Sequence, residues 1–550
     1  MSSLPQRQTL FYAVMVFALA LVWSYIAVWC GAQPGPSVDF IYGEPGQNLF
    51  IADRLNAGAT LYRDVFTQYG PLPLLAYAAV TRVFGNSGAT YLAMHQALSI
   101  VGGVLLFLVF RRSCSVRAAA AWTVGAMFPC FLMPGSLNDN PSTLYPGFER
   151  LSLLLLALIW VHPLQRSLSR SLTIGLILGS MQLCKFGTAI VIGMALLLTD
   201  LVTLGVDCFR SDNWRQWLKA QFATLGGFLV VEALWAAWLF KMLPAAWAID
   251  VLWPYYVVKS YRSYLGADLS YWHWFNRGYF VVAQLPIVIG FALSALLIWR
   301  QVASRSVRWL FRECTSVSGP QVFLALCLPV ALAIHFLPHR YAILPWVWLP
   351  VAAAAGAAFL LRPIFQIAVA LALAPSFLIT AQGRVHAIAQ HTESSVVRMP
   401  TPNGEKLWAS KAALQRFETV SREVAENHRR RGGGEGPPRV IAFNLISGWE
   451  HYFGYQQHGS RHAWLITGCV RPEEEAALVA SLDTSSAVLL HSYTTSITSD
   501  GNAVSELTSD PRSWGRFCNP GLSDAASEAF ARKLGPPVMV DDWCAVFPVR

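Results

Sequence analysis

Charged side chains are scarce in this chain of 550 residues. Asp, Glu, Lys and Arg make up 13% of it, whereas soluble globular domains carry about 25%. Hydrophobic residues make up 55%, and the mean hydropathy is +0.43. This composition excludes a wholly soluble globular protein and predicts a membrane protein with soluble parts.

Several common motifs are also missing. The ten cysteines form no CxxC pair and no Cys/His spacing typical of a metal site. No basic motif for nucleic acid occurs, and the net charge of +10 is explained by basic residues that flank apolar segments on the cytoplasmic side. We therefore expect no nucleic-acid partner.

If the polar C-terminal region is extracytoplasmic, two of its three cysteines can form a disulfide. The sequence does not decide which pair of Cys469, Cys518 and Cys544 does so.

Apolar segments of about 20 residues, the length that spans a bilayer, recur along the first 381 residues. The first is longer than the core of a signal peptide, about 7–15 residues, so we expect an uncleaved helix with Arg7 inside. A break at Lys185 gives eleven segments; without it there are ten, and the C-terminus changes sides. The segments lie at about 9–30, 91–110, 118–135, 148–163, 171–184, 186–205, 221–240, 279–299, 321–337, 341–361 and 364–381. Residues 1–384 are therefore predicted to form a polytopic α-helical membrane domain with about eleven transmembrane helices.

Lysine and arginine predict which connections lie inside. With the N-terminus inside and eleven spans, the inner connections are rich in basic residues, as the positive-inside bias requires. They are 111–117, 162–170, 210–219 and 300–312. The long outer loops are then 31–90 and 241–278. The second is rich in Trp and Tyr, which favour the headgroup layer and can also form a surface beside a lipid or sugar site.

The character of the sequence changes after residue 385. Residues 385–438 read as a helical connector, with an amphipathic helix over 405–428, and a GGGEGPP linker. Residues 439–550 carry strand-like runs around a helical EEEAALVASL segment; the runs are 439–444, 486–492 and 537–549. The sequence predicts a small soluble α/β domain here. We expect a multi-pass protein of the plasma (inner) membrane with this domain extracytoplasmic.

The first outer loop concentrates carboxylates. Asp39, Glu44, Asp53 and Asp64 fall in about 60 residues, and a loop of that length is usually functional or disordered. Its NLFIADRLNAGATLY and PLPLLAYAAVTRVF segments have helix-like patterning, which favours order near the membrane surface. A partly desolvated carboxylate there can accept a proton from a hydroxyl or ligate a divalent cation. The alternative is that Asp53 and Asp64 simply pair with Arg54 and Arg63 to fix the loop, and for Asp53 and Arg54 we favour it.

Three other groups are candidates outside this loop. Lys185 stands among apolar residues, where an ionisable group is costly and usually functional; a lysine at a helix end that reaches to the interface is the alternative. His339 and Arg340 are predicted to lie in a tight outer turn, where arginine can bind phosphate through its planar, forked guanidinium; the alternative is a charge that only marks the end of a helix. Secondary candidates, which we expect mainly to cap or pair, are Asn138, Asp139, Glu149 and Arg150.

The first loop resembles a known superfamily. Glu44, then ADRLNAG, then YRDVFTQYGPL, then FG at 84–85 are similar to the first-loop signature of the C-type, membrane-embedded glycosyltransferases. The likeness is to bacterial relatives of the dolichyl-phosphate-mannose protein mannosyltransferases and of the lipid A aminoarabinose transferases. It covers about residues 1–385, and the Lys185 segment and the PHRYAILPWVWLP turn also resemble later segments of that group.

The resemblance implies transfer of a sugar from a polyprenyl-phosphate carrier to an acceptor hydroxyl, with an acid of the first loop as base. Members often have Asp before the Glu that matches Glu44, whereas this chain has Gly43. Either Asp39 takes that role, or Glu44 acts alone, or activity has been lost. The expected substrate-binding residues are Arg63, Asp64, Tyr69, Lys185, His339, Arg340 and Tyr341.

The partners implied are a polyprenyl-phosphate sugar donor, membrane lipid, and an acceptor glycan, lipid or protein. The sequence requires no cofactor and leaves a divalent cation open. Two rival functions remain: a transporter or flippase of a lipid-linked glycan, and a non-catalytic member of the same fold. The absence of an evident internal repeat counts against the first rival.

Overall fold

The N-terminal half is built from helices whose ends agree with the apolar segments. The computed structural model describes residues 3–29, 41, 44–67, 69–112, 115–132, 144–185, 188–204, 213–252, 396–443, 448–457, 472–491, 507–516, 522–541 and 544–550, together with positions 36, 367, 368, 371 and 461. The helices are α1 (Ser3–Trp29), α2 (Glu44–Asn56), α3 (Pro71–Phe84), α4 (Gly88–Arg111), α5 (Val116–Leu132), α6 (Tyr145–Ile159), α7 (Leu168–Gln182), α8 (Thr188–Leu204), α9 (Asn213–Met242) and α10 (Ala245–Leu252).

The predicted break at Lys185 is confirmed. Helix α7 ends at Gln182 and α8 begins at Thr188, so the two short apolar segments are separate helices. Helices α4 and α9 are long and apolar enough to cross a membrane. The four apolar segments predicted after residue 278 lie outside the described residues, apart from positions 367, 368 and 371. The total of eleven transmembrane helices therefore stays a prediction.

Those parts of the predicted cytoplasmic connections that the structure describes lie at a common end of the helices; the connection 300–312 is outside the described residues. Near that end, the Arg111 guanidinium at the close of α4 donates to the Thr9 hydroxyl of α1, at 3.3 Å. The Gln216 side chain at the start of α9 donates to the Leu164 carbonyl oxygen between α6 and α7, at 2.7 Å. The first outer loop, with α2 and α3, lies at the opposite ends of these helices. This arrangement agrees with the alternation of inner and outer connections predicted from the basic residues.

The C-terminal part contains a five-stranded mixed sheet. Its elements are β1 (Val396–Pro400), β2 (Lys406–Ser410), α11 (Lys411–Arg430), β3 (Arg439–Phe443), α12 (Gly448–Phe453), β4 (Gln456–Gln457), α13 (Pro472–Ser481), β5 (Ala487–His491), α14 (Asp524–Lys533), β6 (Val538–Asp541) and β7 (Cys544–Pro548). The strand order is β4-β3-β5-β7-β6, with β3 parallel to β4 and β5, and β7 antiparallel to β5 and β6. All three strand-like runs and the EEEAALVASL helix coincide with observed elements.

The amphipathic helix predicted over 405–428 begins later than expected. Residues 406–410 form β2, which pairs antiparallel with β1 and alternates between exposed and buried side chains. Ser410 then caps α11 by accepting a hydrogen bond from the Ala413 N–H at 3.1 Å, the usual role of serine at a helix start. The helical period of the sequence concealed this short strand because its partner lies in the preceding segment.

Strand alternation divides the sheet between two apolar layers. Val440 and Ala442 of β3 face one layer, together with α11, whereas Ile441 and Phe443 face the other, together with α13 and α14. The first layer continues into the first outer loop and reaches Trp235 of α9. The C-terminal sheet and the first outer loop therefore share one hydrophobic core.

Candidate functional site

The first outer loop packs its QYGP turn against the break between α7 and α8. The Gly70 N–H donates to the Cys184 carbonyl oxygen at 3.1 Å, and the Leu72 N–H donates to the Leu183 carbonyl oxygen at 2.9 Å. A Cβ at position 70 would overlap the Leu183 carbonyl, so this approach requires glycine. The turn and Lys185 are thereby fixed beside each other.

Two tyrosines and Lys185 form a stack at this contact. The rings of Tyr69 and Tyr145 lie 4.8 Å apart between centroids. The Lys185 ammonium lies 5.0 Å from the centroid of the Tyr145 ring, within the range of a cation–π interaction. All three side chains are half-buried. Two predicted substrate-binding residues, Tyr69 and Lys185, are therefore brought together, with Tyr145 added by the structure.

A buried carboxylate lies one helical turn beyond Tyr145. Glu149 is fully buried. Lys185 and Arg150 act on it electrostatically, and Thr188 of α8 lies beside it. Glu149 is thus enclosed next to the candidate cation Lys185, and the expectation that it mainly caps or pairs stays a prediction.

The N-terminal end of α2 is connected to the same stack. Glu44 is the first residue of α2. One turn later, the Gln47 side chain donates to the Thr67 hydroxyl at 3.4 Å, and the Tyr69 N–H donates to that same hydroxyl at 3.3 Å. The helix end that begins with Glu44 is therefore linked to Tyr69. Asp39 lies outside the described residues, as does the side chain of Glu44.

Tyr62 is a residue of this site that was not predicted from the sequence to bind substrate, although it begins the YRDVFTQYGPL segment of the first-loop signature. It is buried and has φ of 66°, a left-handed conformation that is uncommon for a bulky side chain. Its hydroxyl donates to the Tyr69 carbonyl oxygen at 2.7 Å, and burial raises the pKa of Tyr62. Strained backbone of this kind clusters at functional sites. The family resemblance covers Tyr62, but nothing in the residue pattern predicts its left-handed conformation.

Arg63 and Asp64 form an ion pair with each other on the surface. The Arg63 guanidinium donates to the Asp64 carboxylate at 3.0 and 2.9 Å, and the Thr60 N–H donates to it at 2.7 Å. The hydrogen bond from Arg63 lowers the pKa of Asp64. This is the pairing that the sequence left as the alternative, and a role in substrate binding stays a prediction.

Asp53 and Arg54 also form ion pairs, as favoured, but with distant partners. Asp53 contacts His451 at 2.6 Å, and Arg54 contacts Glu450 at 2.8 Å. The expectation that the loop's own charges would pair was wrong for these two residues, because α12 of the C-terminal part covers this face of α2.

The remaining candidates lie outside the described residues. These are His339, Arg340, Tyr341, Asn138 and Asp139. Cys544 is buried in β7, and the other two C-terminal cysteines are also outside the described ranges, so the disulfide stays a prediction. Among the residues that the structure describes, no group of three His, Cys, Asp or Glu could hold a metal ion.

The solved structures similar to this chain over nearly its full length include two of one protein. They are ArnT from Cupriavidus metallidurans bound to undecaprenyl phosphate and the same protein in the apo state. Each is 14% identical and matched over 97% of both chains, with TM-scores of 0.45 and 0.40 respectively. No family model and no curated protein matches the chain. ArnT is a lipid A aminoarabinose transferase, one of the groups that the first loop resembles; at TM-scores below 0.5, the similarity does not assign an activity.

Proposed function

We propose that this protein is a membrane-embedded glycosyltransferase that moves a sugar from a polyprenyl-phosphate carrier to an acceptor hydroxyl outside the membrane, with inversion. The observation that carries the proposal is the stack of Tyr69, Tyr145 and Lys185. It joins a cation and aromatic faces at one contact between the first loop and the helices. Hydrogen bonds through the Thr67 hydroxyl link it to the first turn of α2, the helix that begins with Glu44.

The chemistry requires these groups at one place. When the acceptor oxygen attacks the anomeric carbon, the bond from that carbon to the phosphate oxygen breaks. The carrier phosphate then leaves as a monoester with one more negative charge than the diester. An ammonium such as Lys185 stabilises this developing charge in a site of low polarity. The acceptor proton passes to a carboxylate, for which Glu44 and Asp39 are the candidates.

The aromatic rings serve the apolar part of the donor. Tyr69 and Tyr145 are each half-buried, so each ring keeps an accessible surface next to the ammonium. Such a surface suits a sugar face or the first isoprene unit of the carrier. The buried Glu149 lies within electrostatic range of Lys185, and the first-loop acids are the candidates for the base.

The test is sugar transfer by purified full-length protein from a labelled polyprenyl-phosphate sugar to a candidate acceptor, together with donor binding. We expect Lys185→Met to weaken donor binding about 10- to 100-fold, the loss of a hydrogen bond to a charged group. Lys241→Met is the matched control, because Lys241 is an exposed lysine at the outer end of α9.

The variants Asp39→Ala and Glu44→Ala separate the possible bases. Loss of transfer in one of them, with donor binding kept, identifies that residue as the base. Full turnover in both variants contradicts the proposed mechanism. Movement of intact glycan lipid across vesicles points instead to the transporter, and donor binding without turnover in the unmodified protein points to the non-catalytic member.

A further inference from the structure

His451 connects the C-terminal part to the first outer loop. Its Nδ1 lies 2.6 Å from the Asp53 carboxylate of α2, and its Nε2 lies 2.9 Å from the Glu405 carboxylate before β2. Only 6% of the His451 side chain is exposed. An ionised carboxylate can accept hydrogen bonds but cannot donate them. Both ring nitrogens of His451 are therefore donors, and the imidazole carries a positive charge.

The carboxylates of Asp53 and Glu405 each make a further hydrogen bond to the α3–α4 turn or to the start of α4. Asp53 also accepts a hydrogen bond from the Asn86 side chain at 2.7 Å, and Asn86 donates to the Leu49 carbonyl oxygen at 2.8 Å. Glu405 accepts from the Gly88 N–H at 3.0 Å. His451 is thus the charged centre of a network that joins α2, the α3–α4 turn and the start of α4.

Arg461 makes a second, independent contact with the same loop. Its guanidinium lies 3.8 Å from the Trp247 ring centroid and pairs with Glu474 at 2.5 Å. It also donates to the Tyr62 carbonyl oxygen, while the Arg461 carbonyl oxygen accepts from the Phe66 N–H at 2.6 Å. These bonds hold the turn in which Tyr62 adopts its strained conformation and supports Tyr69.

We propose that the C-terminal part clamps the first outer loop in its working conformation, with His451 and Arg461 as positioning residues for the candidate site. This inference deepens the proposed glycosyltransferase function and rests on it for its catalytic consequence. His451 fixes α2, which begins with Glu44, and Arg461 fixes the turn that leads to Tyr69. The shared apolar core holds the two parts together, and these polar contacts set the register between them.

The clamp depends on pH through His451. Burial lowers the pKa of His451, but hydrogen bonds to Asp53 and Glu405 and the charges of these two acids outweigh it, so the pKa rises to about 9. Because the pKa in the folded state exceeds the ordinary value of about 6.5, the charged contact is fully present below pH 6.5. It is lost as the pH rises through about 9.

Within the described residues, titratable and charged groups from several elements face His451. The facing groups are Asp53 from α2, Glu405 from the β1–β2 turn, Tyr77 from α3 and Tyr452 from α12 itself, with the Arg54–Glu450 pair alongside. Burial raises the pKa of both tyrosines, so they stay neutral at pH 10. Loss of the imidazolium leaves Asp53 and Glu405 with no cation between them.

The test is amide hydrogen exchange on the full-length protein, corrected for the intrinsic rate at each pH. At pH 7, His451→Gln should speed exchange in 44–56 by about tenfold or more through local opening, and Arg461→Met should do the same in 61–70. Strands β3 and β5 should be unchanged. In the unmodified protein, raising the pH from 7 to 10 should speed exchange in 44–56, whereas His451→Gln should show no such pH step.

Arg512→Gln is the matched control, since it removes an exposed ion pair with Asp510 in the same C-terminal part. Unchanged first-loop exchange in both clamp variants overturns the inference, and so does equal acceleration of β3 and β5, which would mean general unfolding. The exchange result stands whether or not sugar transfer is found. If transfer is found, the variants should lower kcat more than they raise the KM of the donor.

Discussion

At the scale of single residues, the Tyr145 ring beside Lys185 is expected to contribute to donor binding. The ammonium is 5.0 Å from the Tyr145 ring centroid, and a partly desolvated cation–π contact is worth about 0.5–2 kcal/mol. We predict that Tyr145→Leu weakens donor binding by about 2- to 30-fold, whereas Tyr145→Phe keeps it near the original value. Binding of a polyprenyl phosphate, measured by calorimetry, checks this; an equal loss in both variants would assign the effect to the hydroxyl instead.

A second residue-scale prediction concerns the other end of the helices. Arg166 and Asp200 form a pair with fully buried side chains, at 2.8 Å, and Asp200 also accepts from Trp160 at 3.1 Å and from Gln221 at 2.8 Å. Removing one partner of a buried pair costs about 3–5 kcal/mol. Arg166→Met should therefore lower the thermal midpoint strongly in a melting assay.

The exposed pair of Asp510 and Arg512 supplies the comparison for that assay, because surface ion pairs contribute little. Asp510→Asn should leave the midpoint nearly unchanged. A small shift for Arg166→Met as well would mean that water or another cation replaces the guanidinium in the helix bundle.

The sequence predicted Lys185 and Tyr69 because each stands out locally: one is a charge among apolar residues, the other belongs to the first-loop motif. It could not predict His451, whose partner Asp53 is 398 positions away. Nor could it predict the pairing of Arg54 with Glu450. Such contacts depend on how two distant segments pack, and the composition of neither segment reveals them.

At the scale of elements, hydropathy located the helices well. Segments predicted at 91–110 and 171–184 correspond to α4 and α7, and the loop segments with helical patterning correspond to α2 and α3. A helix satisfies its backbone hydrogen bonds within its own segment. A continuous apolar segment can therefore predict a helix without knowledge of what packs against it. The β1–β2 hairpin escaped prediction because a short strand gains its bonds only from its partner.

The crossing of α7 and α9 gives a sharp prediction at this scale. Gly175 and Gly227 bring the two backbones into contact: a Cβ at Gly227 would overlap the Leu172 carbonyl oxygen, whereas a Cβ at Gly226 would meet nothing within 4 Å. Small residues at such crossings allow close helix packing. Gly227→Ala should cost about 1–3 kcal/mol through overpacking.

The adjacent Gly226→Ala should be neutral or stabilise by about 0.5–1 kcal/mol, because alanine loses less backbone entropy than glycine in a helix. Midpoints of thermal unfolding for the two single variants, in the same detergent, test the difference. Similar midpoints would show that α7 and α9 can separate without loss, contrary to the close crossing.

At the scale of the whole molecule, the C-terminal sheet is joined to the membrane part through one core. Trp449 and Tyr452 of α12 are buried in the layer that also contains Leu49 and Ile51 of α2. The sequence predicted a small separate α/β domain, and the sheet is present. The sequence could not predict that this sheet packs against the first loop. The apolar faces of α11 and α12 indicate that these helices are buried, but they do not indicate which surface covers them.

This docking predicts that charges can be exchanged across the contact. Arg54 of α2 and Glu450 of α12 lie 2.8 Å apart, and both are partly exposed, so each single reversal, Arg54→Glu or Glu450→Arg, should lower stability by about 0.5–1 kcal/mol. The double reversal should recover most of that loss, because opposite charges again face each other across the two parts. Thermal midpoints of the three variants form a double-mutant cycle. Additive losses in the double variant would mean that α2 and α12 do not meet in solution, because only residues in contact couple in this way.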